Sequence, residues 1–267
     1  MERLPFSAAL GLGGRRVTIH AITIDFWGTI VIDGPAMDDR YKKPRLDGFE
    51  RILHAAGVRV TPAALSTAYD RSLSSLGKVW STNRDVSVEQ HVETLLAGLP
   101  DDVSDGLDRA ARAALVEAYA TPMERVPPTV DRGALAALAT LRGRGYTLAV
   151  VSNVMRTPGR ILRRVLAGYG LLPLFAATVF SDEVGVRKPA PEIFAMTLEQ
   201  LGTSASAAVH VGDDLVLDVL GARQAGLRVV HVQGNGNAGT APVRPDRTIA
   251  SMAELPATIA RLEGEAR

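Results

Sequence analysis

Five short apolar runs, each stopping at a polar or acidic group and the last four each preceded by a helix-like segment, constrain this chain more than any other feature. The first, VTIHAITI over Val17–Ile24, is β-branched and almost wholly apolar, as a strand buried on both faces of a parallel sheet must be. It stops at Asp25. The pattern resumes as YTLAVVSN from Tyr146, ATVFSDE from Ala176, AAVHVGDD from Ala207 and LRVVHVQ from Leu227. Glycines 145, 202 and 226 stop the intervening helices just before a strand, while Thr157-Pro158 and the pair Ser251 and Glu254 supply helix starts. Alternation of this kind predicts an α/β fold with a doubly wound parallel sheet, in which ligands bind at the carboxyl ends of the strands.

Between the first and second strands, about Pro35 to Pro128 holds helical periodicity and no strand pattern. The expected helices are Pro44–Ala56, Pro62–Trp80, Val88–Ala97 and Asp105–Ala120, with Thr61-Pro62 and the Ser87/Gln90 pair as starts and Gly57 and Gly98 as stops. The division is therefore a core of residues 1–34 and 129–267 carrying a helical insertion, 35–128. The way out of the insertion, TPMERVPPTV, contains Pro122, Pro127 and Pro128 and reads as a stiff hinge.

Composition removes several classes of function. The 46% of hydrophobic residues can build a sizeable core. The absence of cysteine excludes disulfides, thiol nucleophiles and thiolate metal sites, so a nucleophile must be oxygen or nitrogen. A net charge of +1 with both signs interspersed offers no broad field for nucleic acid or a membrane surface. No window resembles a membrane span, and the opening MERLPFSAALGLGGRR places its arginines after the apolar stretch, the reverse of a secretory signal; the expected location is cytoplasmic. The expected partner is a small molecule. Oligomeric state leaves no mark in the sequence. Lysine is rare, 4 residues against 26 arginines, which draws notice to Lys188.

Three strand ends carry polar groups: Asp25 in DFWGT, Ser152-Asn153 in VVSN, and Asp213-Asp214 in VGDD with Asp218 close behind. Carboxylates gathered at one low-dielectric edge repel each other, which a divalent cation, a lysine or a proton relieves. Lys188, in VRKPAPEIF after the third strand, is the candidate organic counter-charge.

These residues, taken in order, resemble the four motifs of the haloacid dehalogenase superfamily: DFWGT the first, Ser152 the second, Lys188 the third and GDDLVLD the fourth. The resemblance implies a Rossmann-like core with the insertion as a helical cap. It further implies attack by Asp25 on phosphorus, an aspartyl-phosphate intermediate hydrolysed by water, and a small phosphorylated substrate. Mg2+ would be held by Asp25, the main-chain carbonyl of Trp27 and Asp213. Ser152 and Lys188 would hold phosphoryl oxygens, with Thr29 and Asn153 as further substrate contacts. Asp218 would orient Lys188 or a metal-bound water, and Asp214 would support the site or cap a helix.

One position departs from the family's phosphatases, which resemble one another in carrying a second, acid–base Asp two residues after the nucleophile. Here it is Trp27, whose indole does no acid–base work at neutral pH. An aromatic there resembles the dehalogenases of the superfamily, which displace halide from carbon without a metal. Against that alternative stand Asp213, where those enzymes look Ser/Asn-rich, and Phe194, where they carry Tyr. A weakly active or binding-only relative is the third reading. The cap histidines His54 and His91 are candidates for the missing acid, and an amphipathic helix face accounts for them equally well.

The remaining features have plainer explanations. Gly234, Gly236 and Gly239 spell a dinucleotide-type fingerprint, but the prolines in TAPVRPDR cannot open the helix it needs. His20, His210 and His231 lie in strand patterns and read as core or face residues. RYKKPR at Arg40–Arg45 reads as a solvated basic face, with contact to an anionic substrate as its second role, and Asp182 and Glu183 read as the close of the third strand.

Overall fold

The computed structural model describes residues 18–33, 40–234 and 243–264. Its centre is a parallel sheet of six strands: β1 (Ala21–Ile24), β2 (Thr147–Ser152), β3 (Ala177–Phe180), β4 (Ala208–Gly212), β5 (Arg228–Val232) and β6 (Arg247–Ile249), in the order β3-β2-β1-β4-β5-β6. The expected doubly wound α/β core is present. All residues of β1, β4 and β5 are buried, which is why these strands read as continuous apolar runs.

The differences from the expected strands have local causes. The first strand begins at Ala21, with His20 exposed before it. The sixth strand, Arg-Thr-Ile, is too short and too polar to leave a signal. The third ends at Phe180, and Asp182 and Glu183 belong instead to a helical turn.

Among the described residues, six helical segments lie between Asp33 and Thr129: α1 (Lys42–Ala55), α2 (Pro62–Trp80), α3 (Val88–Leu96), α4 (Asp101–Asp105), α5 (Arg109–Ala120) and α6 (Pro122–Arg125). Thr61 caps α2 by accepting from the Ala64 amide, and Ser87 with Gln90 forms a capping box on α3. The single helix expected over Asp105–Ala120 is split, because Asp108 accepts from the Ala111 amide and starts α5 afresh. The chain leaves and re-enters the sheet layer side by side. Ile32 N–H donates to Thr129 O, Val31 bridges Val130, and the Tyr41 and Tyr169 hydroxyls donate to the carbonyls of Val126 and Pro128.

The RYKKPR run is not a uniformly solvated face. Lys42 and Lys43 form exposed pairs with Asp70 and Asp47, but Arg45 is fully buried, donating to Tyr119 O, the Tyr69 hydroxyl and Thr157 Oγ1. The remaining helices, α7 (Ala134–Gly143), α8 (Gly159–Gly168), α9 (Ser181–Val184), α10 (Pro191–Gln200), α11 (Gly221–Gln224) and α12 (Leu255–Glu263), complete the layers. Of the glycine-rich fingerprint, Gly236 and Gly239 lie outside the described residues. Among the described residues no helix is long and apolar enough to cross a membrane.

Candidate active site

β1 lies between β2 and β4, so the winding direction reverses at its carboxyl end. Ile24 pairs with Val150 on one side and Val211 on the other, which sets Asp25 level with Val151 and Gly212. Ser152 and Asp213 therefore stand one residue further along, on either side of Asp25. Lys188 arrives from the segment between α9 and α10. Its ammonium donates to Asp25 Oδ1 at 2.5 Å and to Asp218 Oδ1 at 2.6 Å. Three of the four expected motif positions thus converge on one buried cation, and Asp213 closes the cluster: Asp25, Asp213 and Asp218 each offer an oxygen within 4.8 Å of the others.

Asp218 is aimed by its backbone. Leu215–Leu220 winds as a π-helix, whose Val219 amide reaches back five residues to the Asp214 carbonyl, and it carries Asp218 back so that Oδ2 accepts from the Asp214 amide. Asp214 caps this turn, its Oδ1 accepting from the Val216 and Leu217 amides. Gly212 allows the approach, since a Cβ there would stand 2.2 Å from the Asp218 carboxyl carbon. Gly28 does the same for Asp213: its φ is +68° and a Cβ would lie 2.2 Å from Oδ2. His210 donates from Nε2 to Asp218 Oδ1, which leaves Nδ1 to accept from the Thr23 hydroxyl. His231 donates to the Asp213 carbonyl. Both are satisfied strand residues, as expected, though His210 also serves the site.

The electrostatics separate the three acids. Burial pushes Asp25 up to about 6; the Lys188 ammonium pulls the other way, Asp218 raises it again and Ser152 lowers it. Burial also works to raise Asp218, but Lys188 and His210 override it and hold the carboxyl well below the usual range. Lys188 is held above the ordinary lysine range because Asp218 and Asp25 outweigh its burial. Asp213 is pushed up to about 8 by burial and then by the charges of Asp25 and Asp218. Its carboxylate makes no hydrogen bond or ion pair among the described residues. A third carboxyl beside two acids already spent on one lysine completes a donor set of hard oxygens suited to a divalent cation.

Two expected residues behave differently. Asn153 spends its side chain on Lys188, Nδ2 donating to the Lys188 carbonyl and Oδ1 accepting its amide, so it fixes the lysine rather than facing a substrate. Ser152 is fully buried; its hydroxyl lies 3.4 Å from the Asn153 carbonyl and near enough to Asp25 to favour its charged form. Thr29 Oγ1 and Trp27 Nε1 are buried without a partner among the described residues, which suits groups that meet a ligand.

The two histidines of the inserted helices sit in different surroundings. His54 is exposed on α1. His91 is buried between the rings of Trp80 and Tyr119, and burial, reinforced by Arg156, Arg187 and Arg45 against Asp85, pushes it down to about 4. It is neutral at pH 7. Sequence reasoning missed Asp85, Arg187 and Ser181, which surround the Lys188 segment; nothing in their spacing relates residue 85 to residue 187 before the chain folds.

The fold and this constellation define a doubly wound α/β protein with an acidic, lysine-bridged strand-end site. The chain belongs to the haloacid dehalogenase-like hydrolase family, whose model matches residues 19–226. It is 35% identical over 141 residues to phosphoserine phosphatase of Thermus thermophilus, covering 53% of this chain and 55% of that one. It is 30% identical over 211 residues to phosphoglycolate phosphatase of Rhodospirillum rubrum, covering 79% of this chain and 78% of that one. The chain spans about half the length of several curated relatives that it matches. Among solved structures, 2-haloacid dehalogenase of Pseudomonas syringae pv. Tomato superposes with a TM-score of 0.62 at 23% identity, covering 91% of this chain and 99% of that one. That likeness shows the shared fold.

Proposed function

We propose that the protein is a Mg2+-dependent phosphatase that cleaves a small phosphorylated metabolite through an aspartyl-phosphate on Asp25. The observation that carries this reading is Asp213: an unpaired carboxylate, within reach of Asp25 and Asp218, that a metal-free attack on carbon does not need. Relatives named phosphoserine and phosphoglycolate phosphatase support it.

Asp25, Asp213 and the main-chain carbonyl of Trp27 would hold the cation, which when bound neutralises phosphoryl charge and draws the acids together. Asp25 then attacks phosphorus as the ester oxygen leaves with the bonding electrons. Lys188, kept charged by Asp218, holds Asp25 and a phosphoryl oxygen in line; Ser152 and Thr29 offer hydroxyl donors to the other oxygens. Water next attacks the phosphorus of the acyl phosphate, releasing phosphate and restoring the Asp25 carboxylate. With Trp27 two residues after Asp25 and His91 pushed down to about 4, a substrate whose leaving group carries negative charge easily suits this site.

A second reading, carbon-centred dehalogenation, is favoured by one observation: the aromatic Trp27 where the acid–base Asp of the phosphatases belongs. The two are separated by assaying phosphate release from a panel of phosphorylated metabolites, with and without Mg2+, beside chloride release from 2-chloro acids. Mg2+-dependent phosphate release, abolished by Asp25→Asn, is the expected result. Chloride release that persists in excess chelator overturns the phosphatase reading.

A further inference from the structure

The segment that joins α2 to α3 in the inserted helical region lies directly against the segment that delivers Lys188. Arg84 forms an antiparallel bridge with Val186, the Asp85 amide donates to Gly185 O, and the Arg187 amide donates to Asn83 O. Asn83 takes a positive φ of 58° to turn its carbonyl into this pairing.

Asp85 is the centre of the contact. Its side chain is fully buried, and its carboxylate receives four donors. Oδ1 accepts from Trp80 Nε1 and the Val86 amide, both at 2.9 Å and both within the insertion. Oδ2 faces the sheet layer, accepting from the Ser181 hydroxyl at 2.5 Å and from Arg187 Nη1 at 2.6 Å. The same two partners grip both backbone groups of a single residue further in. Ser181 Oγ accepts the Val154 amide at 2.9 Å, and Arg187 Nη1 donates to the Val154 carbonyl at 2.6 Å. Val154 follows Asn153, whose side chain holds both backbone groups of Lys188, and Asn153 follows Ser152. The guanidinium of Arg187 also stacks over the Trp80 ring at 4.6 Å, so removal of its carboxylate would leave a buried cation against an aromatic ring, the Val154 carbonyl and the Met155 sulfur.

We infer that Asp85 is a positioning residue for the strand-end site: through Ser181 and Arg187 it sets the Ser152–Val154 and Arg187–Lys188 segments in register, so that the site is fully assembled only with the inserted helices seated. The inference rests on the proposed phosphatase chemistry for its kinetic consequence alone. Its physical basis is that Ser181 and Arg187, which between them hold Val154, both donate to one acceptor atom, Oδ2, supplied from outside the sheet layer. A neutral amide cannot replace it: Trp80 and Val86 hold the oxygen of an asparagine at the Oδ1 position, which turns an NH2 group toward two donors.

The test is Asp85→Asn, read in two ways on the full chain. By hydrogen exchange, the amides of Val154 and Lys188 should exchange at least about 10-fold faster, while those of β5 stay unchanged. By kinetics on the best phosphorylated substrate, kcat should fall about 10- to 100-fold with KM changed less than about 3-fold, the pattern of a misplaced reacting group rather than lost binding. Ser181→Ala, which removes one arm of the relay and leaves the carboxylate in place, should reproduce the exchange effect at Val154, and serves if Asp85→Asn does not fold. Faster exchange confined to residues 78–92, with Val154 and Lys188 as protected as in the parent protein, overturns the inference; so does a folded Asp85→Asn with unaltered kcat. Failure of the phosphatase reading is a separate result, a parent protein that releases no phosphate, and the exchange measurement still decides the positioning role.

Discussion

Replacing His91 by phenylalanine should make the protein more resistant to acid, by an amount that follows from the histidine's surroundings. The ring is 2% exposed, lies about 6 Å from the centroids of Trp80 and Tyr119, and has no hydrogen-bond partner on either nitrogen among the described residues. The groups whose charges act on it are Asp85, which favours protonation, and Arg156, Arg187 and Arg45, which oppose it; burial opposes it most. The imidazole is therefore pushed from 6.5 down to about 4. A depressed folded-state value means that the unfolded chain takes up the proton first as pH falls. The stability concerned is complete above pH 6.5, drains between 6.5 and 4, and is flat below. The whole difference amounts to about 3 kcal/mol, of which about 2 kcal/mol is lost between pH 8 and pH 5. Phenylalanine carries no such proton and leaves no unpaired polar atom between the two rings. Urea unfolding of both proteins at a series of fixed pH values is the assay, because contributions common to both cancel in the difference. The stability advantage of His91→Phe should grow by about 2 kcal/mol from pH 8 to pH 5, or about 4–8 °C in melting temperature. A difference that stays constant across that range would refute the reasoning, and so would one that shrinks toward acid.

Two further outcomes are expected. Since burial and two neighbouring acids push Asp213 up to about 8, its ionisation costs stability that is lost as pH rises through that value; Asp213→Asn should raise the melting temperature of the Mg2+-free protein at pH 9, and Mg2+ should stabilise the parent but not the variant. Equal responses to Mg2+ in thermal unfolding would contradict the assignment of Asp213 to the cation. With Trp27 in the acid–base position and His91 neutral, turnover should depend steeply on leaving-group acidity, and Trp27→Asp should raise the turnover of alkyl phosphates by up to ~10²-fold, less the loss from the cavity that it opens. A flat dependence across a series of aryl and alkyl phosphates would show that another group supplies the proton.

The sequence by itself determined the class of fold and the sheet edge at which the acidic groups gather. Strands buried on both faces must be apolar throughout, and the apolar runs ending at Asp25, Ser152 and Asp213 announced both the parallel sheet and the edge where its polar groups meet. Helix limits such as Pro62–Trp80 were equally legible, because caps are local chemistry. The sequence did not determine pairings between residues far apart in the chain. That Asn153 holds Lys188 instead of facing a substrate, that Arg45 is buried rather than solvated, and that Asp182 accepts the Gly159 amide at the start of α8 instead of closing a strand all depend on which loops the fold brings together. Asp85 shows the reason most plainly. It sits 102 residues from Arg187, and an isolated aspartate in NRDVS carries no periodicity and no cap signature that could connect the two. Local propensity acts over a few residues, whereas a buried ion pair forms only after the packed helices and sheet have excluded water from both partners, so its existence is a property of the tertiary structure alone.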